Sequence, residues 1–328
     1  MSFELIKAKI DDSSKIGITF HCSPDGDAIG SALGLLNGLR EIGKNVYVIS
    51  KEGAPDNLSF LPLSEEITGE VTEPTKDTDL VIVLDCGNVD RICADLSNYE
   101  GDIINIDHHV TNEKFGVINH IESDSAATAE MIYILLKLFN IDFVENNQVN
   151  VNIGTCIYTS LVTDTGSFRH SNVTKRTHEI AGNLIACGVN NTRIYNCLFD
   201  NKQVDKVRLV GEALSSVELV LNNKVSFIAI SQELLEKHNL ESIDTAEVIG
   251  MALGIAYVEA SVVIKEVEDG VKASLRSKAN FDVRKVAENL GGGGHVKAAG
   301  LKLKDVTLME AKNKILKEIE KELQLWMV

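Results

Sequence analysis

The sequence predicts an α/β protein of two domains, an N-terminal doubly wound, mainly parallel sheet followed by a smaller C-terminal α+β domain. Three observations predict it. The chain has 328 residues, which is long enough for two ordinary domains. Its first two-thirds alternate short apolar runs with amphipathic segments, as in parallel sheets whose strands are joined by helices. The last third contains strand-like runs joined by a hairpin signal, which is typical of a mixed or antiparallel sheet.

The N-terminal elements alternate in type. IGITF (16–20) is predicted to be a strand, and residues 27–42 a helix, because their apolar residues fall on one face and Gly43 follows as a stop signal. LVIVLD (80–85) is continuously apolar, as expected for a strand covered on both faces. Further strands are predicted at 46–50 and 102–107, and further helices at 126–139, 148–163, 174–187 and 204–219.

The C-terminal third differs in pattern. Strands are predicted at 225–230, 261–268 and 271–277, with Asp269-Gly270 as the two-residue turn of a hairpin between the last two. A final helix is predicted over 307–325 from its apolar period. We therefore place the first domain at 1–200, with a connector helix to about 220, and the second domain at 221–328.

Composition and charge exclude several classes of protein. The chain has 32 basic and 48 acidic residues, a net charge of −16, and such a chain repels long nucleic acids. It has no apolar run long enough for a signal peptide or a membrane span, so neither export nor membrane insertion is expected. The six cysteines form no C-x-x-C pair, which favours reduced thiols in the cytoplasm.

Acidic residues and histidines follow the predicted strands. They are His21, Asp25 and Asp27 after the first strand, Asp85 after LVIVL, Asp107, His108 and His109 after IINI, and Asp164 in TDTGSFRH. In open α/β sheets, functional groups gather outside the carboxyl ends of the strands. Each residue alone would fit a helix cap or a turn. Together, the carboxylates would repel one another unless a cation compensated their charge, so the sequence predicts a metal site.

These motifs resemble, in order, the four motifs of the DHH phosphoesterases. The segment LRSKANFDVRKVAENLGGGGHVKAAG resembles the companion DHHA1 domain, whose hallmark is a glycine run that ends in histidine. The resemblance covers essentially the whole chain. Within the family, HCSPDGDAIGS and TDTGSFRH are most similar to the NrnA type. Those enzymes degrade RNA of a few nucleotides, and many also remove a phosphate from 3′-phosphoadenosine 5′-phosphate (pAp).

The resemblance implies two divalent cations, Mn²⁺ or alternatively Mg²⁺, and a set of site residues. One ion would be held by His21, Asp25 and Asp85, and the other by Asp27, Asp85, His108 and Asp164. Carboxylate-rich sets suit both ions, and the imidazoles favour Mn²⁺. Asp107 would orient the neighbouring histidines, and His109 would face the substrate phosphate. Cys22 and Cys86 adjoin these residues and are interpreted as packing residues, because hard cations prefer oxygen.

Substrate recognition is assigned to the second domain, with the substrate held in an active-site cleft between the domains. Bare glycine N–H groups can form an anion-binding concavity. Arg276, on a hairpin strand, can grip a phosphate through its forked donors. The predicted substrate-binding residues are Arg276, Gly292, Gly293, Gly294 and His295.

The sequence is compatible with several functions. The leading hypothesis is an oligoribonuclease with pAp phosphatase activity, and a phosphodiesterase for linear or cyclic dinucleotides would use the same chemistry. A manganese pyrophosphatase is disfavoured by the glycine–histidine segment. A RecJ-type exonuclease for long substrates is disfavoured by the lack of room for an OB-fold and of a basic groove. A non-catalytic nucleotide sensor would be expected to have lost a metal ligand, and the presence of all the predicted ligands argues against it. The family resemblance alone suggests a homodimer.

Overall fold

A computed structural model describes residues 2–145, 147–278 and 281–326. The chain divides into two compact units, Met1–Asn201 and Lys202–Val328, and each is described by itself. Within the described residues, no helix combines the length and the apolar character needed to cross a membrane.

The N-terminal unit contains a wholly parallel sheet of five strands, which confirms the predicted sheet type. The strands are β1 (Lys15–Thr19), β2 (Asn45–Val48), β3 (Leu80–Leu84), β4 (Asp102–Asp107) and β5 (Ile118–Ile121), in the spatial order β2-β1-β3-β4-β5. The helices are α1 (Ser2–Asp12), α2 (Gly26–Glu41), α3 (Thr128–Leu138), α4 (Gln148–Asp164), α5 (Lys175–Cys187) and α6 (Asn191–Phe199). The short elements α1, β5 and α6 were not predicted.

The apolar sequence of the central strand β3 is explained by burial on both of its faces. Leu80, Ile82 and Leu84 enter the large core shared with the helices. Val81 and Val83 point to the opposite face, into a smaller core. All five residues are buried, because successive side chains of a strand point to opposite sides and both sides are covered here.

Helices α2 and α4 pack closely through small residues. A Cβ atom added at Gly30 of α2 would lie 2.6 Å from the carbonyl oxygen of Cys156 on α4. Asp25 caps the start of α2 by accepting hydrogen bonds from the backbone N–H groups of Asp27 and Ala28, at 3.0 and 3.1 Å. This packing holds the start of α2 near the end of α4, where Asp164 lies.

The C-terminal unit contains a mixed sheet of six strands, which confirms the predicted α+β class. The strands are β6 (Glu218–Val220), β7 (Val225–Ile230), β8 (Ala260–Val267), β9 (Gly270–Ser277), β10 (Gly293–His295) and β11 (Ala298–Lys304), in the order β10-β11-β9-β8-β7-β6. The helices are α7 (Val204–Ser215), α8 (Gln232–Lys237), α9 (Ala246–Leu253), α10 (Val283–Asn289) and α11 (Leu308–Trp326). One core lies against α10 and α11, and another against α7, α8 and α9.

Two local predictions in this unit were wrong. The helix predicted over 204–219 ends at Ser215, because the chain enters the sheet at β6, which pairs antiparallel with β7. The hairpin turn is Glu268-Asp269, one residue earlier than predicted, since Val267 pairs with Gly270. Gly270 has φ +139°, and a Cβ atom there would lie 2.1 Å from the carbonyl oxygen of Leu303. The glycine thus serves close strand approach rather than the turn.

Candidate metal centre

The parallel sheet collects the predicted ligands at one edge. His21 follows β1, Asp85 follows β3, and His108 follows β4, so all three leave the carboxyl ends of neighbouring strands. Asp27 lies in the first turn of α2 and Asp164 ends α4. The strand order explains the convergence, because β1, β3 and β4 are adjacent in the sheet.

The first group of donors is His21, Asp25 and Asp85. Their ligand atoms all lie within 4.8 Å of one another. His21 Nε2 is 3.4 Å from Asp85 Oδ2 and 3.8 Å from Asp25 Oδ1. Asp85 is buried, whereas the side chain of Asp25 is 58% exposed, so one side of this group is open to solvent.

The second group is Asp27, His108 and Asp164, whose ligand atoms also lie within 4.8 Å of one another. His108 Nε2 is 3.4 Å from Asp164 Oδ2 and 3.7 Å from Asp27 Oδ2. It is also 3.5 Å from Asp85 Oδ1. Asp85 therefore presents one oxygen to each group. All six predicted ligands come together, while their assignment to ions stays a prediction.

The charges of this centre call for a cation. Among the described residues, no Lys or Arg forms an ion pair with Asp27, Asp85 or Asp164. Burial, followed by repulsion from neighbouring carboxylates, raises the pKa of both Asp27 and Asp164. Burial lowers the pKa of His21, but attraction to the carboxylates of Asp25 and Asp85 outweighs burial and raises it to about 10. A set of carboxylates with two imidazoles fits hard or borderline divalent ions.

Asp27 is the most enclosed of these carboxylates. Its Oδ1 accepts hydrogen bonds from the hydroxyls of Ser31, at 3.0 Å, and of Ser160. Its Oδ2 accepts the backbone N–H of Thr128 at 2.7 Å, at the start of α3, where the helix dipole favours negative charge. Ser31 could have been inferred from its spacing of one turn on α2, whereas Ser160 lies 133 residues away.

The backbone of Asp85 is strained. Its φ is +51°, in the left-handed region that residues other than glycine rarely adopt. The strain amounts to about 1–3 kcal/mol. The residue is held there by its N–H, which donates to the carbonyl of Ile106 at 3.0 Å, and by Thr128 Oγ1, which donates to Oδ1 at 3.2 Å. This conformation aims the carboxylate at both donor groups.

Asp107 holds the second histidine of the motif. Its Oδ1 accepts from His109 Nδ1 at 2.7 Å and from the backbone N–H of His108 at 2.9 Å. Asn112 Nδ2 donates to Oδ2 at 2.6 Å. The bond with Asp107 raises the pKa of His109, whose side chain is 38% exposed. Asn112 was not predicted, because no spacing in the sequence marks it.

A buried network orients His108. Its Nδ1 donates to the carbonyl of Ser125 at 3.2 Å, which leaves Nε2 facing the carboxylates. The hydroxyl of Ser125 donates to Glu130 Oε2 at 3.2 Å. Glu130 is fully buried and is bound by Arg176 at 2.7 Å and by Thr177 at 2.6 Å. The position of Glu130 near the start of a mostly apolar helix was a sequence signal for this buried charge.

The predicted substrate residues lie in the C-terminal unit. His295 on β10 pairs with Ala298 on β11, which pairs with Arg276 on β9. Residues paired in this way point to the same face, so the two basic side chains flank a small residue, about 10 Å apart across two strand spacings. Gly293 and Gly294 precede His295 on β10, and Gly292 comes directly before that strand. The binding role of these five residues stays a prediction.

Two family models and several known proteins match this chain. Residues 15–161 match the model of the DHH family, N-terminal domain, and residues 222–325 match that of the DHHA1 domain. The chain is 35% identical over 311 residues to the bifunctional oligoribonuclease and PAP phosphatase NrnA of Thermus thermophilus, covering 94% of this chain and 90% of that protein. It is 30% identical to the NrnA of Bacillus subtilis, covering 85% and 86%.

More distant similarity extends to another activity and to a solved structure. The cyclic-di-AMP phosphodiesterase PdeA of Listeria monocytogenes is 26% identical, covering 97% of this chain but 49% of that protein. The crystal structure of an exopolyphosphatase-related protein from Bacteroides fragilis superposes with a TM-score of 0.90 at 27% identity. That match covers 100% of this chain and 98% of the other.

Proposed function

The chain belongs to the DHH phosphoesterases that carry a DHHA1 domain, as its motifs predicted, and from this we propose that it is a manganese-dependent oligoribonuclease and pAp phosphatase. It would hydrolyse very short RNA to mononucleotides and remove the 3′-phosphate of pAp to give AMP. The observation that carries the proposal is the position of Asp85. One of its oxygens faces His21 and the other faces His108, as expected for a carboxylate that bridges two cations.

We assign the two donor groups to two ions. His21, Asp25 and Asp85 would hold one, and Asp27, Asp85, His108 and Asp164 would hold the other. When bound, such ions lower the pKa of water and stabilise the charge that develops on a phosphate. The mixture of carboxylates and imidazoles favours Mn²⁺, with Mg²⁺ as the alternative.

His109 is proposed to contact the substrate phosphate. Its Nδ1–H is held by Asp107, so its Nε2 is left as the free donor on a partly exposed ring. The raised pKa of His109 favours the protonated ring, which attracts a negatively charged phosphate. Asn112 and the backbone N–H of His108 also donate to Asp107 and fix its orientation. Asp107 is thus a positioning residue.

The C-terminal unit is proposed to bind the nucleotide. Arg276 and His295 stand in one row of the sheet, with Ala298 between them, and offer two cationic or hydrogen-bonding groups to phosphate oxygens. Gly293 and Gly294 would add backbone N–H groups, whereas the N–H of Gly292 already donates to the carbonyl of Ala287 at 2.8 Å. The net charge of −16 supports a small substrate, since a long polyanion would be repelled by the rest of the surface.

A direct assay tests the proposal. Metal-free protein would be supplied with Mn²⁺ or Mg²⁺ and given pAp, linear dinucleotides, short RNA, a cyclic dinucleotide and pyrophosphate in parallel. We expect the highest rates on short RNA and pAp with Mn²⁺. A cyclic dinucleotide as the best substrate would favour the second candidate function, a phosphodiesterase for dinucleotide signals, which the similarity to PdeA supports. Inactivity on every substrate would overturn both.

A matched pair of variants tests the site. His108→Ala should abolish turnover with its fold retained, because it removes a proposed ligand. His238→Ala is the control, since His238 bonds Glu212 in the C-terminal unit, at 2.9 Å. Turnover by His108→Ala at the rate of the control would refute the assignment.

We also propose a cytoplasmic location, which the six free cysteines support, because thiols persist in reducing compartments. A homodimer stays a prediction from the family resemblance, and analytical ultracentrifugation of the purified protein would measure the oligomeric state.

A further inference from the structure

Two thiols and a carboxylate lie together beside the metal centre. The Sγ atoms of Cys22 and Cys93 and a carboxylate oxygen of Glu52 all lie within 4.8 Å of one another. Backbone pairing brings the two cysteines together. The N–H of Cys22 donates to the carbonyl of Arg91, and the N–H of Cys93 donates to that of Phe20, both at 2.7 Å. We call Cys22, Glu52 and Cys93 the thiol cluster.

Hydrogen bonds of Lys51 and Ser23 hold Glu52 beside the two thiols. The N–H of Lys51 donates to the carbonyl of Cys93 at 2.8 Å. The carboxylate of Glu52 accepts the N–H of Ser23, at 3.0 and 3.1 Å to its two oxygens. Among the residues that the structure describes, no basic side chain forms an ion pair with Glu52. A half-buried carboxylate therefore faces two thiols without a cation.

The thiol cluster is distinct from the carboxylate centre. His21 pairs with Ile92 in an antiparallel bridge, and Cys22 follows it in a bend. His21 Nε2 faces Asp85, whereas Cys22 Sγ lies 3.6 Å from the carbonyl oxygen of Ile92. Cys93 is buried, while Cys22 and Glu52 are half-buried and leave a path from solvent.

We propose that the thiol cluster is a second, independent metal site that binds Zn²⁺ or a similar thiophilic ion. Two thiolates and a carboxylate suit Zn²⁺, whereas Mn²⁺ prefers the oxygen-rich centre. Zinc–sulfur bonds of about 2.3 Å in a tetrahedron place donors about 3.8 Å apart, so the cluster needs to close by at most about 1 Å. Binding releases the two thiol protons to solvent and involves no redox step.

Cadmium titration tests the proposal on the full-length, reduced protein. The carboxylate centre is first filled with excess Mn²⁺, and Cd²⁺ is then added as a spectroscopic substitute for Zn²⁺. We expect a sulfur-to-cadmium charge-transfer absorption that saturates at one ion per chain. Cys22→Ser and Cys93→Ser should each abolish it. Glu52→Gln should weaken Cd²⁺ binding by at least about tenfold. Even residues that only contact a metal ligand change metal affinity by about 10- to 100-fold when they are substituted.

Two controls separate this site from the rest of the chain. Cys197→Ser, at a half-buried cysteine on α6, should leave the signal unchanged. His108→Ala should also leave it unchanged, so the result does not depend on the proposed phosphoesterase centre. No charge-transfer band, or a band that persists in either Cys22→Ser or Cys93→Ser, would overturn the proposal.

A second measurement avoids variants that fail to fold. In the wild-type protein, Zn²⁺ should slow the alkylation of Cys22 by a maleimide but not that of Cys197, as measured by mass spectrometry of peptides. Equal rates at Cys22 with and without Zn²⁺ would overturn the proposal.

Discussion

Replacing Asp27 by Asn should have opposite effects on stability with and without metal. Asp27 is fully buried, and its oxygens accept bonds from Thr128, Ser31 and Ser160. Asn has the same shape but no charge. Without metal, the substitution removes an uncompensated buried carboxylate, and with metal it removes a proposed ligand.

The magnitude follows from two opposing effects. Burial raises the pKa of Asp27 from 3.8 to about 7. Keeping it ionised in the folded, metal-free protein at about pH 8 therefore costs up to about 4 kcal/mol. If the Asn amide faces Thr128, one charge-assisted bond worth about 1.5–3 kcal/mol is lost. The metal-free variant should thus be more stable than the wild type, by about 1–2 kcal/mol.

With Mn²⁺ the sign reverses. An ion present at about 100 times its dissociation constant stabilises the wild-type fold by about 2.7 kcal/mol, and the variant should lose this contribution at the second donor group. Turnover should fall by at least about 100-fold. Urea unfolding followed by circular dichroism, in chelator and in Mn²⁺, measures both free energies.

Asp79→Asn is the matched control. Asp79 accepts two backbone N–H groups, those of Ser14 at 2.9 Å and Lys15 at 3.0 Å, outside the metal centre. Its substitution should lower stability equally in chelator and in Mn²⁺ and leave turnover unchanged. The reasoning is refuted if Asp27→Asn lowers stability equally in both conditions or retains normal turnover.

Three further predictions concern pH, a buried charge and packing. Because the pKa of Asp27 is raised in the folded state, its contribution to metal-free stability is complete below its unfolded pKa and is lost as the pH rises through about 7. Stabilisation of the fold by Mn²⁺ should therefore grow between about pH 5 and about pH 8. Thermal melting with and without Mn²⁺ measures this, and a Mn²⁺-induced increase in melting temperature that is constant across this pH range would contradict it. Glu130→Ala should lower the free energy of unfolding, measured in urea, by about 3 kcal/mol, because it leaves buried hydrogen-bond donors without an acceptor. The control Glu247→Ala breaks an exposed ion pair and should lower it by at most about 1 kcal/mol. Similar losses for the two variants would contradict a stabilising role of the buried Glu130 network. Gly30→Ala should destabilise the fold by at least about 2 kcal/mol, because its Cβ atom would collide with a backbone carbonyl oxygen. The control Gly182→Ala, whose Cβ atom enters open space on α5, should stabilise the fold by up to about 1 kcal/mol in the same assay. Equal effects would show that α2 and α4 can separate enough to accommodate the added methyl group.

The fold class could be predicted because it depends on local periodicity. The continuous apolar run of β3 reflects burial on both faces, and the alternation of strands and helices implied a parallel sheet. The predicted strand ends already placed His21, Asp85 and His108 at one edge of the sheet. Weak or short patterns were missed, such as β5 and the glycine-rich β10, whose pairing depends on neighbouring strands.

Where a local signal competed with a tertiary contact, the contact decided. Asp269-Gly270 is a favourable turn sequence, yet Gly270 lies in β9, since only a residue without Cβ fits beside Leu303. The predicted helix after α6 was likewise cut short at Ser215 by the pairing of β6.

By itself, the sequence determined which ligand types are present and at which strand ends they lie, because alternating strands and helices imply parallel strands whose carboxyl ends share one edge. Only the tertiary structure decided how the ligands are held. Ser160 meets Asp27 across 133 residues, and Cys22 meets Cys93 through backbone pairing. Such contacts depend on the relative placement of whole elements, which is set by core packing over the entire unit rather than by any local pattern.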